Sequence, residues 1–329
     1  MKFDKMIDTV DTHTGGEPTR IVLSGIPFLP GNSVKEKRDY FAEHYDYIRT
    51  RLTYEPRGHL GMLCAAVIPP CDPRADFGIF YFDDSQYLDM CGHGTMGVGT
   101  ALQEIGLVPP EKKKEFVIET PAGLVKIKNN FNEAGDFVES TTLRNVNAYV
   151  IQNEVRIDCG EIKDIPVNLA YGGNVFAILP AEKFGVEIEP KDVKKIKMYS
   201  REVRKVFEEM GIHVNLVQWV SKAKLPTSTQ RVVHGSGYGL PDRSPGGTGT
   251  SAKLAWLCEN GQLKVGEKFV YEGIVDAQFI GEVIEVLEVN GRKEYVTEVS
   301  GKARITGFHK FVFNAEDGLN EGFIFEDED

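Results

Sequence analysis

The sequence contains an internal repeat built on two glycine-rich segments that lie almost half the chain apart. Residues 91–95 (Cys-Gly-His-Gly-Thr) match residues 246–250 (Gly-Gly-Thr-Gly-Thr), and each segment is followed by a run of small and apolar residues that ends at a glycine. Residues 116–119 then match residues 269–272 at nearly the same offset. Self-similarity at a fixed interval indicates duplicated structural units. We therefore predict two similar halves, each with strands, a glycine-rich turn that begins a helix, and further strands.

Composition and charge exclude several classes of protein. With 41% hydrophobic and 26% charged residues over 329 positions, the sequence is typical of a soluble globular protein rather than a disordered one. The 49 acidic residues outnumber the 38 basic ones and leave no basic footprint for a phosphate backbone, so we predict no nucleic-acid partner. No run approaches the roughly 18 apolar residues of a membrane span, and the N-terminal residues carry charge where a signal peptide is apolar. We therefore predict a cytoplasmic protein without a membrane segment.

The cysteines and histidines give no sign of a disulfide framework or a metal centre. The five cysteines are odd in number and scattered, and no Cys-x-x-Cys pair occurs. Four histidines show no ligand spacing: His44, His213, His234 and His309. We predict no metal, and we expect Cys64, Cys159 and Cys258 to be buried core residues.

Two amphipathic helices and many short strands account for much of the remaining pattern. Ser33 precedes apolar residues at helical spacing and has the side chain of an N-cap. The charged segment 190–210 shows the same period and predicts a second helix. Other apolar runs are short and rich in strand-forming residues, for example residues 77–82 and 230–233.

The two glycine-rich turns predict an anion site. Glycines let the backbone approach a ligand closely, and the first turn of a helix leaves its N–H groups unpaired. Each helix N-terminus carries roughly half a positive charge, so two such turns across one cleft could hold a carboxylate or phosphate without a basic side chain. Cys91 falls at the start of the first helix, where this field favours the thiolate, a base or nucleophile. We predict that Cys91 is the reactive group.

A dinucleotide site is an alternative interpretation of the same glycines. The run Gly92-x-Gly94-x-x-Gly97 matches the Gly-x-Gly-x-x-Gly fingerprint, follows a strand-like run and begins a helix. Dinucleotide-binding folds alternate strands and helices, whereas this chain is strand-rich around both motifs and has too few helices to cover a parallel sheet. A calorimetric titration without nicotinamide-cofactor binding would exclude this alternative.

Several longer motifs resemble the proline racemase family, from about residue 8 to beyond residue 279. They are Met-Cys-Gly-His-Gly at 90–94, Asp-Arg-Ser-Pro at 242–245 followed by Gly-Thr-Gly-Thr at 247–250, the segment 11–20, Pro-Arg-Gly-His at 56–59, Glu-Thr-Pro-Ala-Gly at 119–123 and Gly-Gly-Asn-x-Phe at 172–176. The resemblance implies an α+β fold of two pseudo-symmetric halves, each a β-barrel-like sheet around a central helix, similar to diaminopimelate epimerase, with the active site in the cleft between them. We place the first half, with Cys91, at 1–130 together with about 290–329, and the second half, with residues 242–250, at about 131–289.

The same resemblance implies a homodimeric, cofactor-independent enzyme whose substrate is proline or hydroxyproline. In the family, two thiols flank the α-carbon of the substrate; one removes the α-proton and the other returns a proton from the opposite side. Cys91 matches the first thiol, but Gly246 stands at the second position and has no titratable group. One base suffices to dehydrate trans-3-hydroxy-L-proline to 1-pyrroline-2-carboxylate, as in the branch of the family that usually has Thr at this position. We therefore predict a dehydratase.

Two other functions stay open. The chain could be a proline racemase or hydroxyproline 2-epimerase in which water or another side chain serves the Gly246 face, and α-proton exchange with inversion would identify it. It could also be a non-catalytic protein that kept the amino-acid cleft and lost turnover with the second thiol. Such a protein would bind proline-like ligands and exchange nothing.

The substrate-binding residues follow from the helix starts and from the family motif. We expect the substrate carboxylate to accept hydrogen bonds from four backbone N–H groups, those of Gly92, His93, Gly247 and Thr248. Asp242 matches the family position that holds the ring ammonium. His13 and Glu17 fall in the segment 11–20, which also has the pattern of a strand end and turn, and we assign them no catalytic role.

Overall fold

The computed structural model describes residues 4–237 and 240–325. Within these residues the chain forms seventeen strands and four α-helices. In chain order they are β1 (Lys5–Thr14), β2 (Glu17–Ser24), α1 (Val34–Thr53), β3 (Leu63–Ile68), β4 (Phe77–Phe82), β5 (Tyr87–Leu88), α2 (Gly92–Glu104), β6 (Glu115–Thr120), β7 (Gly123–Phe131), β8 (Val138–Arg144), β9 (Tyr149–Cys159), β10 (Ile162–Tyr171), β11 (Val175–Pro180), α3 (Val193–Glu209), β12 (Leu216–Lys222), β13 (Gln230–Gly235), α4 (Gly247–Glu259), β14 (Phe269–Glu272), β15 (Gln278–Val289), β16 (Arg292–Gly301) and β17 (Ala303–Phe313).

The strands pair in the same order twice. In the first half β2 pairs parallel with β3, and β4 pairs parallel with β6, while the pairs β1–β2, β3–β4, β6–β7 and β7–β8 are antiparallel. In the second half β11 pairs parallel with β12, and β13 pairs parallel with β14. Each parallel pair encloses one helix, because parallel neighbours need a crossover connection. The duplication predicted from the two glycine-rich segments is therefore present in the topology, and the predicted α+β fold with two similar halves is confirmed.

One helix lies at the centre of each half. Residues 92–102 of α2 are all buried, and so are residues 247–255 of α4. Helix α2 contacts β1, β2, β3, β7, β8 and β17, and α4 contacts β9, β10, β11, β15 and β16, so strands surround both helices. The small residues after each glycine-rich turn suit this position, since a helix that is enclosed on every side has no polar face.

The other two helices cover the outside of the sheets. Ser33 caps α1, because its Oγ accepts a hydrogen bond of 3.1 Å from the backbone N–H of Glu36. The buried residues of α1 include Val34, Phe41 and Ile48, at the helical spacing seen in the sequence. Helix α3 lies within the charged segment 190–210, so both predicted amphipathic helices are confirmed. No helix in the described part of the chain combines the length and the apolarity that a membrane crossing requires.

The two halves are joined by strand pairing and by the last strand. Strand β8 pairs antiparallel with β16, and β17 pairs with β1 along their whole lengths. The chain therefore ends in the half in which it begins. Where one half stops and the other starts stays a prediction, because β8 and β16 pair with each other across the junction.

Candidate active site

The cleft between the halves contains a small cavity at the start of both central helices. All seven residues that the sequence analysis assigned to the site line it: Cys91, Gly92, His93, Asp242, Gly246, Gly247 and Thr248. The cavity measures about 90 Å³, against roughly 300–1,000 Å³ for pockets that take drug-sized ligands. The space therefore suits a small molecule.

The two helix starts share one hydrogen-bond pattern. Cys91 is the N-cap of α2 and Gly246 is the N-cap of α4. The hydroxyl of Thr95 donates to the backbone oxygen of Cys91 at 2.7 Å, and the hydroxyl of Thr250 donates to that of Gly246 at 2.6 Å. Cys91 and Gly246 thus hold equivalent positions in the two halves.

The two first turns touch each other through their backbones. A Cβ atom added to Gly92 would lie 2.3 Å from the Cα of Gly247, a separation that real side chains do not reach. The first N–H groups of both helices have no partner within their own helix. Because glycine allows this approach, two positive helix ends converge on one cavity, as the repeat predicted.

The Cys91 thiol lies against the His93 ring, which in turn faces Asp242. The Sγ atom is 3.4 Å from Nδ1 and 3.6 Å from Nε2 of His93, and Nδ1 is 3.6 Å from the Asp242 carboxylate. Burial by itself lowers the pKa of His93, but the negative charges of Cys91 and Asp242 outweigh it and raise that pKa well above its ordinary value. The charged form of the ring is therefore favoured more than in a free histidine, and this ring lies in contact with the Cys91 thiol. This side-chain contact lies outside the backbone role that the sequence analysis gave His93.

Asp242 is an ionised carboxylate at the wall of the cavity. Its Oδ1 accepts a hydrogen bond of 2.8 Å from the backbone N–H of Ser244. Burial opposes ionisation, but the positive charge of His93 lowers the pKa of Asp242 below its ordinary value. A negative charge is thus available at the position where the sequence analysis placed the ammonium anchor.

Glu17 also lines the cavity, although the sequence analysis gave it no role. Its carboxylate accepts a 2.7 Å hydrogen bond from the backbone N–H of Arg243 and forms a 3.0 Å ion pair with the Arg243 guanidinium. Burial and the nearby charge of Asp242 raise the pKa of Glu17 to about 7, in spite of Arg243. The contact ties the β1–β2 turn of the first half to the Asp-Arg-Ser-Pro segment of the second.

Glu17→Gln is expected to change how stability depends on pH. The folded chain binds more protons at Glu17 than the unfolded chain between pH 4.5 and about 7, so this group lowers stability as the pH rises through that range. The free energy of unfolding of the variant minus that of the wild type should therefore be greater at pH 8 than at pH 5, by roughly 3 kcal/mol. Thermal melts of both proteins from pH 5 to pH 8 measure this difference. Glu133→Gln, in an exposed loop, is the control, and a Glu17→Gln difference that does not vary with pH would contradict the prediction.

His234, on β13, is the second residue of the cavity that the sequence analysis missed. Its ring is 2% exposed and packs edge-on against Phe176, with the ring centroids 5.3 Å apart. His234 has no other potential metal ligand at a characteristic spacing, so the sequence pattern around it gives no sign of a site. A usable signal was the pair Gly246 and Gly249, since two glycines in one helical turn leave a space as large as a side chain.

In residues 4–237 and 240–325, no three or more His, Cys, Asp or Glu side chains are arranged to hold a metal ion. The absence of a metal and of a cofactor from the functional protein stays a prediction.

Comparison with known proteins identifies the family. The profile described as proline racemase matches residues 9–324. The proline racemase of Clostridioides difficile is 41% identical over 335 residues, which cover 98% of this chain and 99% of that protein. A trans-3-hydroxy-L-proline dehydratase of Bacillus cereus is 38% identical over 338 residues, with 98% and 99% coverage.

A solved structure extends the comparison to three dimensions. The hydroxyproline epimerase from Agrobacterium vitis, crystallised with bound trans-4-hydroxy-L-proline, has a TM-score of 0.90 and 27% identity. The match covers 99% of this chain and 97% of that one. Racemases, epimerases and dehydratases of proline-type amino acids all occur among these relatives, so the comparison fixes the class of chemistry and leaves the individual reaction open. The chain belongs to the proline racemase family.

Proposed function

We propose that the protein removes the α-proton of a proline-type amino acid with the thiolate of Cys91. The observation that carries this proposal is the position of Cys91, at the N-cap of a buried helix and in contact with the ring of His93. Both the helix end and the charged form of that ring favour the thiolate, which is the form that accepts a proton. The thiolate lies in a cavity of the size of a small amino acid.

The two helix starts supply the stabilisation that a weak base requires. An amino-acid α-proton is far less acidic than a thiol, so the negative charge that develops on the substrate carboxylate must be stabilised. We assign this role to the backbone N–H groups of the first helical residues that line the cavity: Gly92, His93, Gly247 and Thr248. One such preorganised donor contributes about 3–4 kcal/mol in other enzymes.

Asp242 binds the ring ammonium in this proposal. Its carboxylate is ionised, lines the cavity and has an exposed fraction of 20%, so an ammonium can reach it. An ion pair here keeps the substrate nitrogen cationic and electron-withdrawing, which helps the α-proton to leave. Substrate charge and site charge are then matched, with the carboxylate at the helix ends and the ammonium at Asp242.

We propose dehydration of trans-3-hydroxy-L-proline as the reaction. Cys91 takes the α-proton, the electron pair of the broken C–H bond forms the C2–C3 double bond, and the 3-hydroxyl takes a proton from solvent and leaves as water. Cys91 returns its proton to solvent, so no net proton is gained or lost. The resulting enamine tautomerises to 1-pyrroline-2-carboxylate. Gly246 supports this choice, because the position of the second family thiol carries no acid or base, and elimination needs none there.

Inversion at the α-carbon is the second candidate, as in a proline racemase or hydroxyproline epimerase. The observation that favours it is the imidazole of His234, which lies beside Gly246. The third candidate is a non-catalytic binding protein. Ligand binding alone would not require the contact between Cys91 and His93. A homodimer and a cytoplasmic location stay predictions.

Proton NMR in D₂O distinguishes these candidates. The protein is incubated with trans-3-hydroxy-L-proline and, separately, with L-proline. A dehydratase should consume the hydroxyproline signals and produce those of a pyrroline, whereas a racemase should exchange the α-proton of L-proline and form D-proline. If neither substrate reacts and neither loses its α-proton, the proposal is wrong and the binding-protein alternative remains.

A further inference from the structure

The ring of His234 occupies the place that a side chain at position 246 would take. A Cβ atom added to Gly246 would lie 2.5 Å from Cε1 and 2.6 Å from Nδ1 of this ring, and one added to Gly249 would lie 2.0 Å from Nε2. Gly246 also has a φ of +69°, a conformation that other residues rarely adopt. The glycines of the second helix start thus make room for an imidazole.

Both nitrogens of this imidazole are buried and without a hydrogen-bond partner among the described residues. A native structure satisfies nearly all buried polar atoms, so two unpaired nitrogens on one ring need an explanation. His234 lines the same cavity as Cys91. The backbone holds it there, since the carbonyl of His234 accepts a 2.9 Å hydrogen bond from the N–H of Asp242.

Because the two halves are similar, the surroundings of Gly246 can be compared with those of Cys91. Cys91 and Gly246 are equivalent N-caps, and their helices meet at one cavity. The thiol of Cys91 therefore serves one side of a bound ring, and the imidazole beside Gly246 stands at the counterpart position.

We propose that His234 is the acid–base residue on the Gly246 face, so that a thiol and an imidazole together invert the α-carbon of proline-type substrates that lack a 3-hydroxyl. The proposal rests on the proposed function, in which Cys91 serves the other face. It differs from the two-thiol arrangement of the family and gives the site a second activity beside dehydration. With a 3-hydroxyl present the carbanion expels it, and without one the carbanion is protonated again.

The charge state of His234 fits the role of a base. Burial, with a smaller contribution from the charged His93, lowers the pKa of His234 to about 4 against the opposing effect of Asp242. The imidazole is therefore neutral at pH 7 and has a free lone pair.

One inversion removes a proton from one face of the α-carbon and adds a proton to the opposite face. A nitrogen of His234 takes the α-proton, the C–H electron pair stays on the substrate as an enediolate, and the imidazole becomes an imidazolium. This direction starts from the form in which Cys91 is a thiol, after it has taken up a proton from solvent or from an earlier α-proton removal. The thiol then gives that proton to the opposite face of the α-carbon and becomes a thiolate. Exchange with solvent, or a turnover in the reverse direction, returns the proton from His234 to Cys91.

The test follows both enantiomers of proline in D₂O with the full-length protein. His234→Gln and His234→Leu remove the base and keep the volume filled, while His213→Gln changes an exposed histidine outside the cavity. Thermal melts show whether each variant is folded. Chiral chromatography measures inversion, and proton NMR measures deuterium at the α-carbon.

We expect the wild type and His213→Gln to interconvert L- and D-proline. Both His234 variants should lose inversion by about 10²-fold or more, while deuterium still enters one enantiomer without inversion through Cys91. A purely structural role of His234 would lower both readouts together. Inversion by either folded variant near the wild-type rate would overturn the proposal, as would a wild type that exchanges one enantiomer and never inverts it. A wild type that neither exchanges proline nor consumes trans-3-hydroxy-L-proline would instead overturn the proposed function, and this proposal with it.

Discussion

Cys91→Ser is expected to reduce the rate of α-proton removal by about 10²–10⁴-fold. A serine hydroxyl keeps the size of the thiol and is a far weaker acid, so neither the helix end nor His93 can hold it as an anion at neutral pH. The fold should survive, because the Cys91 side chain makes no capping hydrogen bond to its helix. The measurement is the initial rate of α-proton exchange and of pyrroline formation, by proton NMR in D₂O.

Cys258→Ser is the matched control for this variant. The structure buries Cys64 and Cys159, as expected, but leaves Cys258 half-buried at the far end of α4. The Cys258 variant should keep the wild-type rate. Full activity in Cys91→Ser would mean that another group removes the proton and that the contact between Cys91 and His93 is incidental.

Gly92→Ala is expected to be harmful to both stability and activity. The added methyl group would meet three backbone atoms of Gly247 and Thr248, at 2.3–2.8 Å, and no flexible side chain is there to move away. Overpacking of this kind costs about 1–3 kcal/mol. The strain can be relieved only if the two helix starts separate, and a shift of about 1 Å in catalytic groups can cost 10²-fold in rate. Urea unfolding and the exchange rate measure the two effects.

Gly318→Ala provides the comparison, because nothing lies within 4 Å of the place where its Cβ would stand. This variant should stay close to the wild type in stability and in rate. If Gly92→Ala also left stability and exchange rate unchanged, the contact between the two helix starts would have no part in binding the substrate.

The sequence predicts those parts of the structure that depend on local pattern or on duplication. Ser33 and the spacing of the apolar residues after it predict α1, and the run at 77–82 predicts β4 within its observed bounds. The repeat of the glycine-rich turns predicts two equivalent central helices and the cavity between them. In each case the signal lies within a few residues of the feature or recurs at a fixed interval.

The residues that were missed enter the site through tertiary structure. His234 lies on a strand, and only the packing of β13 against α4 brings its ring to Gly246. Glu17 looks like part of a turn in the sequence, and the fold buries it against the backbone of Arg243, which is far away in the chain. Both contacts join residues that have no characteristic separation in the sequence, so a sequence pattern cannot indicate them.

The pairing of β1 with β17 also sets the order in which the molecule can be completed. During synthesis β1 is made long before β17, the strand that covers it. The edge of β1 that pairs with β17 therefore stays unpaired while the strands between them are made. Such long-range closure slows folding and exposes the nascent chain to wrong partners. The half that contains Cys91 is therefore complete only after β17 has been made, because α2, which has Cys91 at its N-cap, also packs against β17.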